Sequence, residues 1–158
     1  MDGMRSKLST LWLFATVNYL YCDVVTLMDP GKLKGFLAGS LGGVAITPGF
    51  LLAAGVLVEI PMAMILVAQL LPPRANRWAN VVAGAVMTAV QLSTLFAGTP
   101  ALYYVFFSVI EIGTTAAIVW LAWSRTLERV EAVAQLKERE PQLAWAQIPH
   151  DHSEERSQ

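Results

Sequence analysis

Charge is scarce in this chain, and basic charge is missing from its long apolar stretches. Asp, Glu, Lys and Arg together make up 15% of residues, against about 25% in an ordinary soluble domain. Cysteine occurs once, at Cys22, which excludes an intramolecular disulfide and a CxxC redox pair. The apolar stretches hold no histidine, so a di-iron or desaturase-type centre has no ligands there. Aspartate-rich metal motifs of the membrane prenyltransferase kind are also missing. Met28, Met62, Met64 and Met87 show no spacing that makes a copper ligand set. No metal site, cofactor or catalytic residue is therefore assigned. A net charge of −1 argues against nucleic acid as a partner.

What the chain does have is apolar length. It is 55% hydrophobic with a mean hydropathy of +0.50, and four runs stand out at 8–28, 50–71, 79–98 and 101–123. About 20 apolar residues suffice for a helix to cross the hydrocarbon core. The runs are too long for barrel strands and lack their alternation. In lipid a helix satisfies its own backbone groups, so helices are the remaining solution. The first run follows Arg5 and Lys7, as in a signal peptide, but no small-x-small cleavage site comes after it. Bulky Tyr21 before Cys22 also argues against a lipoprotein signal, so this run is read as a retained helix. Nine of the eleven Lys and Arg residues fall at the N-terminus, between runs two and three, or after run four. By the positive-inside rule both termini are cytoplasmic. The expected fold is an all-α integral membrane four-helix bundle over 1–123, N-in and C-in, with the lipid bilayer as its surroundings.

The connections carry their own signals. Asp29-Pro30 is an N-cap followed by proline at N1. Leu33, Phe36, Leu37 and Leu41 then recur at helical spacing, which predicts a short interfacial helix on the outer surface. Gly39, Gly42 and Gly43 break it, and Thr47-Pro48 caps the second span. A loop this long is either a lid or binding element, or a solvated connector. The segment from Pro72 to Trp78 reads as a tight cytoplasmic turn, and Gly98-Thr99-Pro100 as a shorter turn outside. Spans two to four are then antiparallel neighbours. Trp78, Tyr103, Tyr104, Trp120 and Trp123 mark aromatic belts. Beyond run four, 124–140 predicts a cytoplasmic amphipathic helix ended by Pro141, and 141–158 a disordered tail. His150 and His152 within it are too few ligands for a metal site.

Three carboxylates lie inside the runs: Asp23, Glu59 and Glu111. An acidic residue at the centre of a spanning helix costs roughly 2.5 to 3.5 kcal/mol on insertion scales. At the helical rise, Glu59 lies about 13 Å in from Phe50 and Glu111 about 15 Å in from Ala101. Both are therefore near the midplane, and Asp23 is shallower. Gln91 and Asn18 add polar groups at related depths. Gly55, Glu59 and Ala63 form a small-residue stripe that admits a neighbouring helix. Pro61 leaves the Leu57 carbonyl without its helical donor. Gly84, Thr88 and Gln91 share one face of span three, and Ser108, Glu111 and Thr115 one face of span four. Val58-Glu59-Ile60-Pro61 and Ile110-Glu111-Ile112-Gly113 resemble each other, as two related hairpins would. With no basic residue at this depth, an ionised pair of glutamates would repel, so a proton or a cation must neutralise them. Alternatively each donates one hydrogen bond, Glu111 toward Thr115 and Glu59 to Gln91.

The segments Asn18 to Val24, Glu59 to Met64, Arg74 to Asn80, and Gly98 to Tyr104 followed by Glu111 resemble a family of uncharacterised bacterial four-span membrane proteins, a domain of unknown function. The chain is also similar, in architecture only, to the DoxX-like four-span proteins. The resemblance implies a bacterial plasma-membrane protein without an assigned activity, and carries no site residue across.

Two functional readings follow. In the first, a small binding or transport-type membrane protein takes up a proton, a cation or a small lipophilic or cationic ligand at Glu59 and Glu111, with Asp23, Gln91 and Asn18 contributing. In the second, an accessory or scaffold subunit uses buried carboxylates for packing and meets a second copy or a partner membrane protein. An enzyme acting on a lipid or quinone pool is a third, weaker reading.

Overall fold

The structure, a computed structural model, describes the backbone of residues 2–41, 43–96 and 100–146, and side chains as far as 124. In order, the elements are α1 (Asp2–Met28), α2 (Pro30–Leu37), β1 (Ser40–Leu41), β2 (Val44–Ala45), α3 (Pro48–Leu70), α4 (Pro73–Leu95) and α5 (Leu102–Ala146). Four segments are long and apolar enough to cross a membrane: Gly3–Met28, Pro48–Leu70, Pro73–Leu95 and Leu102–Ser124. That is the architecture of a multi-pass membrane protein. Two compact units divide the chain, Met1–Trp123 and Ser124–Gln158, and the four spans belong essentially to the first.

The caps act as their residue types dictate. Asp29 Oδ1 accepts from the Gly31 and Lys32 amides, at 2.8 and 3.4 Å, and Pro30 follows at N1. Thr47 Oγ1 accepts from the Phe50 amide at 3.1 Å ahead of Pro48. Between these helices the glycine-rich stretch forms a two-stranded antiparallel hairpin, pairing Ser40 with Ala45 and Leu41 with Val44. Gly39 and Gly43 take φ of 73° and 86°, a region where a Cβ is strained. The hairpin closes back toward α2 at Gly35, where an added Cβ would stand 3.0 Å from the Ser40 carbonyl oxygen.

Two boundaries differ from expectation. The turn read from Pro72 to Trp78 is far shorter: α4 begins at Pro73, and Arg74 to Trp78 form its first turns. Proline at a first helical position costs no hydrogen bond, so the second proline starts a helix as the first closes one. At the other end, α5 runs past Pro141 to Ala146. Of the expected disordered tail, 147–158 and its His150 and His152 lie outside the described residues, as does most of the Gly98-Thr99-Pro100 turn.

The apolar core gathers Leu8 and Trp12 of α1, Met64 and Ala68 of α3, Ala83 and Met87 of α4, and Ile118 of α5. On α1 the buried or half-buried residues Leu8, Trp12, Ala15, Tyr19, Cys22 and Thr26 recur at spacings of four and three, the stripe of a helix packed along its length. A polar network runs through the same end of the bundle. Trp12 Nε1 donates to Asn80 Oδ1 at 2.8 Å, Asn80 Nδ2 to the Asn76 carbonyl at 2.7 Å, and Asn76 Nδ2 to the Ala68 carbonyl at 2.8 Å. Ser9 Oγ donates to the Ile65 carbonyl and accepts from Gln69 Nε2, both at 2.8 Å. These bonds tie α1, α3 and α4 together. Beside them Arg77 stacks over Trp78 and Trp123, with its Cζ 5.3 and 4.7 Å from the ring centroids.

Candidate functional site

The second polar region lies further along the bundle, toward the hairpin, where α4 and α5 meet α1. The faces that spacing assigns to spans three and four come together here. Gly84 allows the close approach, since a Cβ on it would lie 2.6 Å from Val119 Cγ2 and 3.3 Å from the Thr115 carbonyl. One turn on, the Thr88 and Thr115 hydroxyls are 2.7 Å apart. A further turn on, Gln91 Nε2 donates to Ser108 Oγ at 2.8 Å. Ser108 Oγ donates to the Tyr104 carbonyl, and Tyr104 Oη to Thr94 Oγ1, at 2.7 and 2.8 Å. Each of these polar groups has a partner.

Glu111 sits within this seam and differs from it. Its residue is 1% exposed, and neither carboxyl oxygen has a hydrogen-bond partner among the described residues. The nearby Thr115 hydroxyl does not serve the carboxyl, because it is committed to Thr88 and to the Glu111 and Ile112 carbonyls. Tyr19 Oη on α1 is likewise buried without a partner. On α1, Tyr19 and Cys22 lie on the stripe packed into the bundle, and Asp23 lies on its exposed side. A ring contact of 5.9 Å between Tyr21 and Phe107 fixes the register of α1 against α5.

The other residues singled out from the sequence are placed differently. Glu59 is exposed on α3 with Gly55 and Ala63, so the small-residue stripe faces outward and the two midplane glutamates do not share a site. The hydrogen bond expected from Glu59 to Gln91 does not occur among the described residues, since Glu59 is exposed while Gln91 is buried in the seam. The likeness between the fragments around Glu59 and Glu111 therefore has no counterpart in their burial. Asp23 is exposed near the hairpin end of α1. Asn18 is half-buried and donates at 3.3 Å to the Phe14 carbonyl of its own helix. Gln91 is 7% exposed and lies in the seam.

Tyr19 and Cys22 are additions to the site that residue type alone did not single out. Their signal is the spacing from Ala15 through Tyr19 and Cys22 to Thr26, which puts them on the packed stripe of α1. No three His, Cys, Asp or Glu residues converge as metal ligands among the described residues. A carboxyl enclosed in an apolar bundle can hold a proton.

Residues 1–132 match a family of unknown function, DUF6326. The chain belongs to that family. No curated protein and no solved structure is detectably similar to it. The DUF6326 match covers all four spans, and so takes in both the asparagine network and the seam around Glu111.

Proposed function

We propose that this DUF6326 protein is a small binding or transport-type membrane protein whose buried Glu111 takes up a proton or a small cation. The observation that carries this reading is a carboxyl 1% exposed with both oxygens unpartnered among the described residues. Burying an isolated carboxylate in a low-dielectric interior is prohibitive unless a proton or counter-charge neutralises it. Residues 78–124 contain no Lys or Arg, so neither α4 beyond Arg77 nor α5 before Arg125 supplies a counter-charge. Tyr19 on the packed stripe of α1 and Gln91 in the α4–α5 seam are the further polar residues of this reading, with Asp23 and Asn18 as candidates elsewhere on α1.

The distribution of Lys and Arg supports both termini being cytoplasmic, and the family resemblance supports a bacterial plasma membrane. In that orientation the hairpin and the Glu111 side of the bundle face outward.

Infrared difference spectroscopy of the protein in nanodiscs, between acidic and alkaline buffer, tests the site. A carboxyl C=O signal lost in Glu111→Gln supports proton binding. The same signal driven by sodium or potassium at fixed pH supports a cation. A wild-type spectrum identical to that of Glu111→Gln overturns both.

One observation favours a second reading, that of an accessory or scaffold subunit. Glu59 is exposed within a 23-residue apolar helix, where a carboxyl is costly unless another chain meets it. Under this reading a partner membrane protein or a second copy covers that face, and deleting 126–158 tests whether the segment after the bundle holds the partner. A co-purifying protein that persists without that segment counts against docking through it.

A further inference from the structure

At the Trp12 end of the bundle, away from Glu111, basic side chains gather with no acid to meet them. No Asp or Glu occurs between Glu59 and Glu111, a stretch that includes Arg74 and Arg77 in the first turns of α4. The Arg77 guanidinium lies over both the Trp78 and the Trp123 rings, its Cζ 5.3 and 4.7 Å from their centroids. The two indoles, one from α4 and one from α5, meet edge to face at 6.5 Å. Arg77 Nε is buried without a hydrogen-bond partner, and no carboxylate pairs with the guanidinium among the described residues. Arg74, one turn earlier on α4, is exposed. Arg5 of α1 donates to the Leu71 carbonyl at 3.1 Å, which brings a third guanidinium to the connection just before α4.

We propose that the corner of α4 and α5 around Arg77 binds the phosphate of an anionic phospholipid. The site is independent of Glu111. An arginine near a membrane surface ordinarily extends its head into water. Here two aromatic faces hold the planar group, and cation–π attraction to each of them fixes it in place. A guanidinium carries five N–H donors in a rigid fork, and among the described residues no acceptor answers them at Arg77. A pair of phosphate oxygens matches that fork and supplies the missing negative charge. Arg74 adds a second cation close by. A net anionic headgroup is therefore favoured over a zwitterionic one, whose own ammonium would face both guanidinium groups.

The outward faces of the same two helices argue for a lipid rather than a free phosphate. Val82, one turn deeper than Trp78 on α4, and Trp120, one turn deeper than Trp123 on α5, are both exposed, as are Trp78 and Trp123 themselves. Apolar surface thus runs from the guanidinium toward the middle of the spans, where an acyl chain can lie against it. A free phosphate uses the cations alone and leaves this surface untouched. An acidic protein segment would bring polar main chain to a face that meets hydrocarbon.

Native mass spectrometry of the full chain, released from vesicles of equal parts phosphatidylglycerol and phosphatidylcholine, tests the site. The wild type is expected to retain phosphatidylglycerol over phosphatidylcholine by about tenfold, the scale of one charge-assisted hydrogen-bonded contact. Arg77→Gln loses most of that preference, and Arg77→Lys, which keeps the charge but not the fork, retains only part of it. Arg74→Gln, at an exposed position, lowers the preference without disturbing the packing around the indoles. Lys32→Gln, on α2 at the opposite end, leaves it at the wild-type value. Equal retention of the two lipids by the wild type overturns the proposal, as does an unchanged preference in both Arg77→Gln and Arg74→Gln. A loss in Lys32→Gln equal to that in Arg77→Gln also overturns it, since general positive charge would then explain the effect. Displacement of phosphatidylglycerol by inorganic phosphate, or an acidic protein retained in its place, overturns the lipid as occupant.

Discussion

The bundle buries polar groups in two places, and it treats them in opposite ways. At the end that holds Trp12, each amide and indole donor of the network meets an acceptor, from Trp12 through Asn80 and Asn76 to the Ala68 carbonyl. At Glu111 the two carboxyl oxygens and the Tyr19 hydroxyl meet none among the described residues. Both regions are equally enclosed, since Trp12, Asn80 and Glu111 are 0, 0 and 1% exposed. The difference is therefore one of chemistry. A neutral amide offers a donor and an acceptor and can close a network between helices. A carboxylate offers only acceptors, and completing it requires a proton or cation from outside the chain. The first arrangement holds helices together, while the second leaves a binding event to finish the site.

The comparison breaks most readily at Trp12. Trp12→Ala removes a fully buried indole and orphans Asn80 Oδ1, and is expected to cost about 3–5 kcal/mol. Asn80→Ala keeps the indole but strips its acceptor and the donor to Asn76, for an expected cost of about 1–3 kcal/mol. Reversible unfolding in mixed micelles measures both. If Asn80→Ala left the midpoint unchanged, the network would be incidental to the packing around it.

The opposite sign is expected at Glu111. Leucine is close to glutamate in volume, and Glu111→Leu removes a polar group that has no partner to lose. The same unfolding assay should show stability between unchanged and about 2 kcal/mol higher, together with loss of the ionic or proton response. Destabilisation comparable to that of Asn80→Ala would mean that Glu111 is bonded in the folded protein, and the contrast between the two regions would fail.

Much of this frame is legible in the sequence, for reasons that differ by residue. The four spans follow from apolar length, and the Asp29-Pro30 and Thr47-Pro48 starts follow from capping chemistry, which is local. The seam between α4 and α5 was foreshadowed because small and hydroxyl-bearing residues at helical spacing mark a close contact in lipid. The hairpin was not, because strands of two residues have no periodicity to read. Arg74 to Trp78 read as a turn in the sequence because two prolines and a polar run look alike in a loop and in a first helical turn. The orientation of Glu59 is not legible in the sequence for a more general reason. In a membrane helix the outward face is as apolar as the inward one, so α3 offers no polar side from which to infer rotation.

Glu59 therefore supplies the smallest effect and a distinct test. It is exposed, and no described hydrogen bond involves it. Glu59→Leu is expected to leave the unfolding midpoint of the isolated protein unchanged, because neither polar region loses a partner. The variant becomes informative at the level of association. If Glu59 meets a second copy or another membrane protein, gentle extraction followed by native mass spectrometry will show that complex in the wild type and its loss in the variant. If the oligomeric state and the co-purifying proteins are the same in both, no partner covers Glu59, and the scaffold reading loses the observation that favours it. A drop in the unfolding midpoint would instead show that Glu59 contributes to the fold of the single chain. The bundle would then have a third buried polar region, and the contrast between its two ends would need to accommodate it.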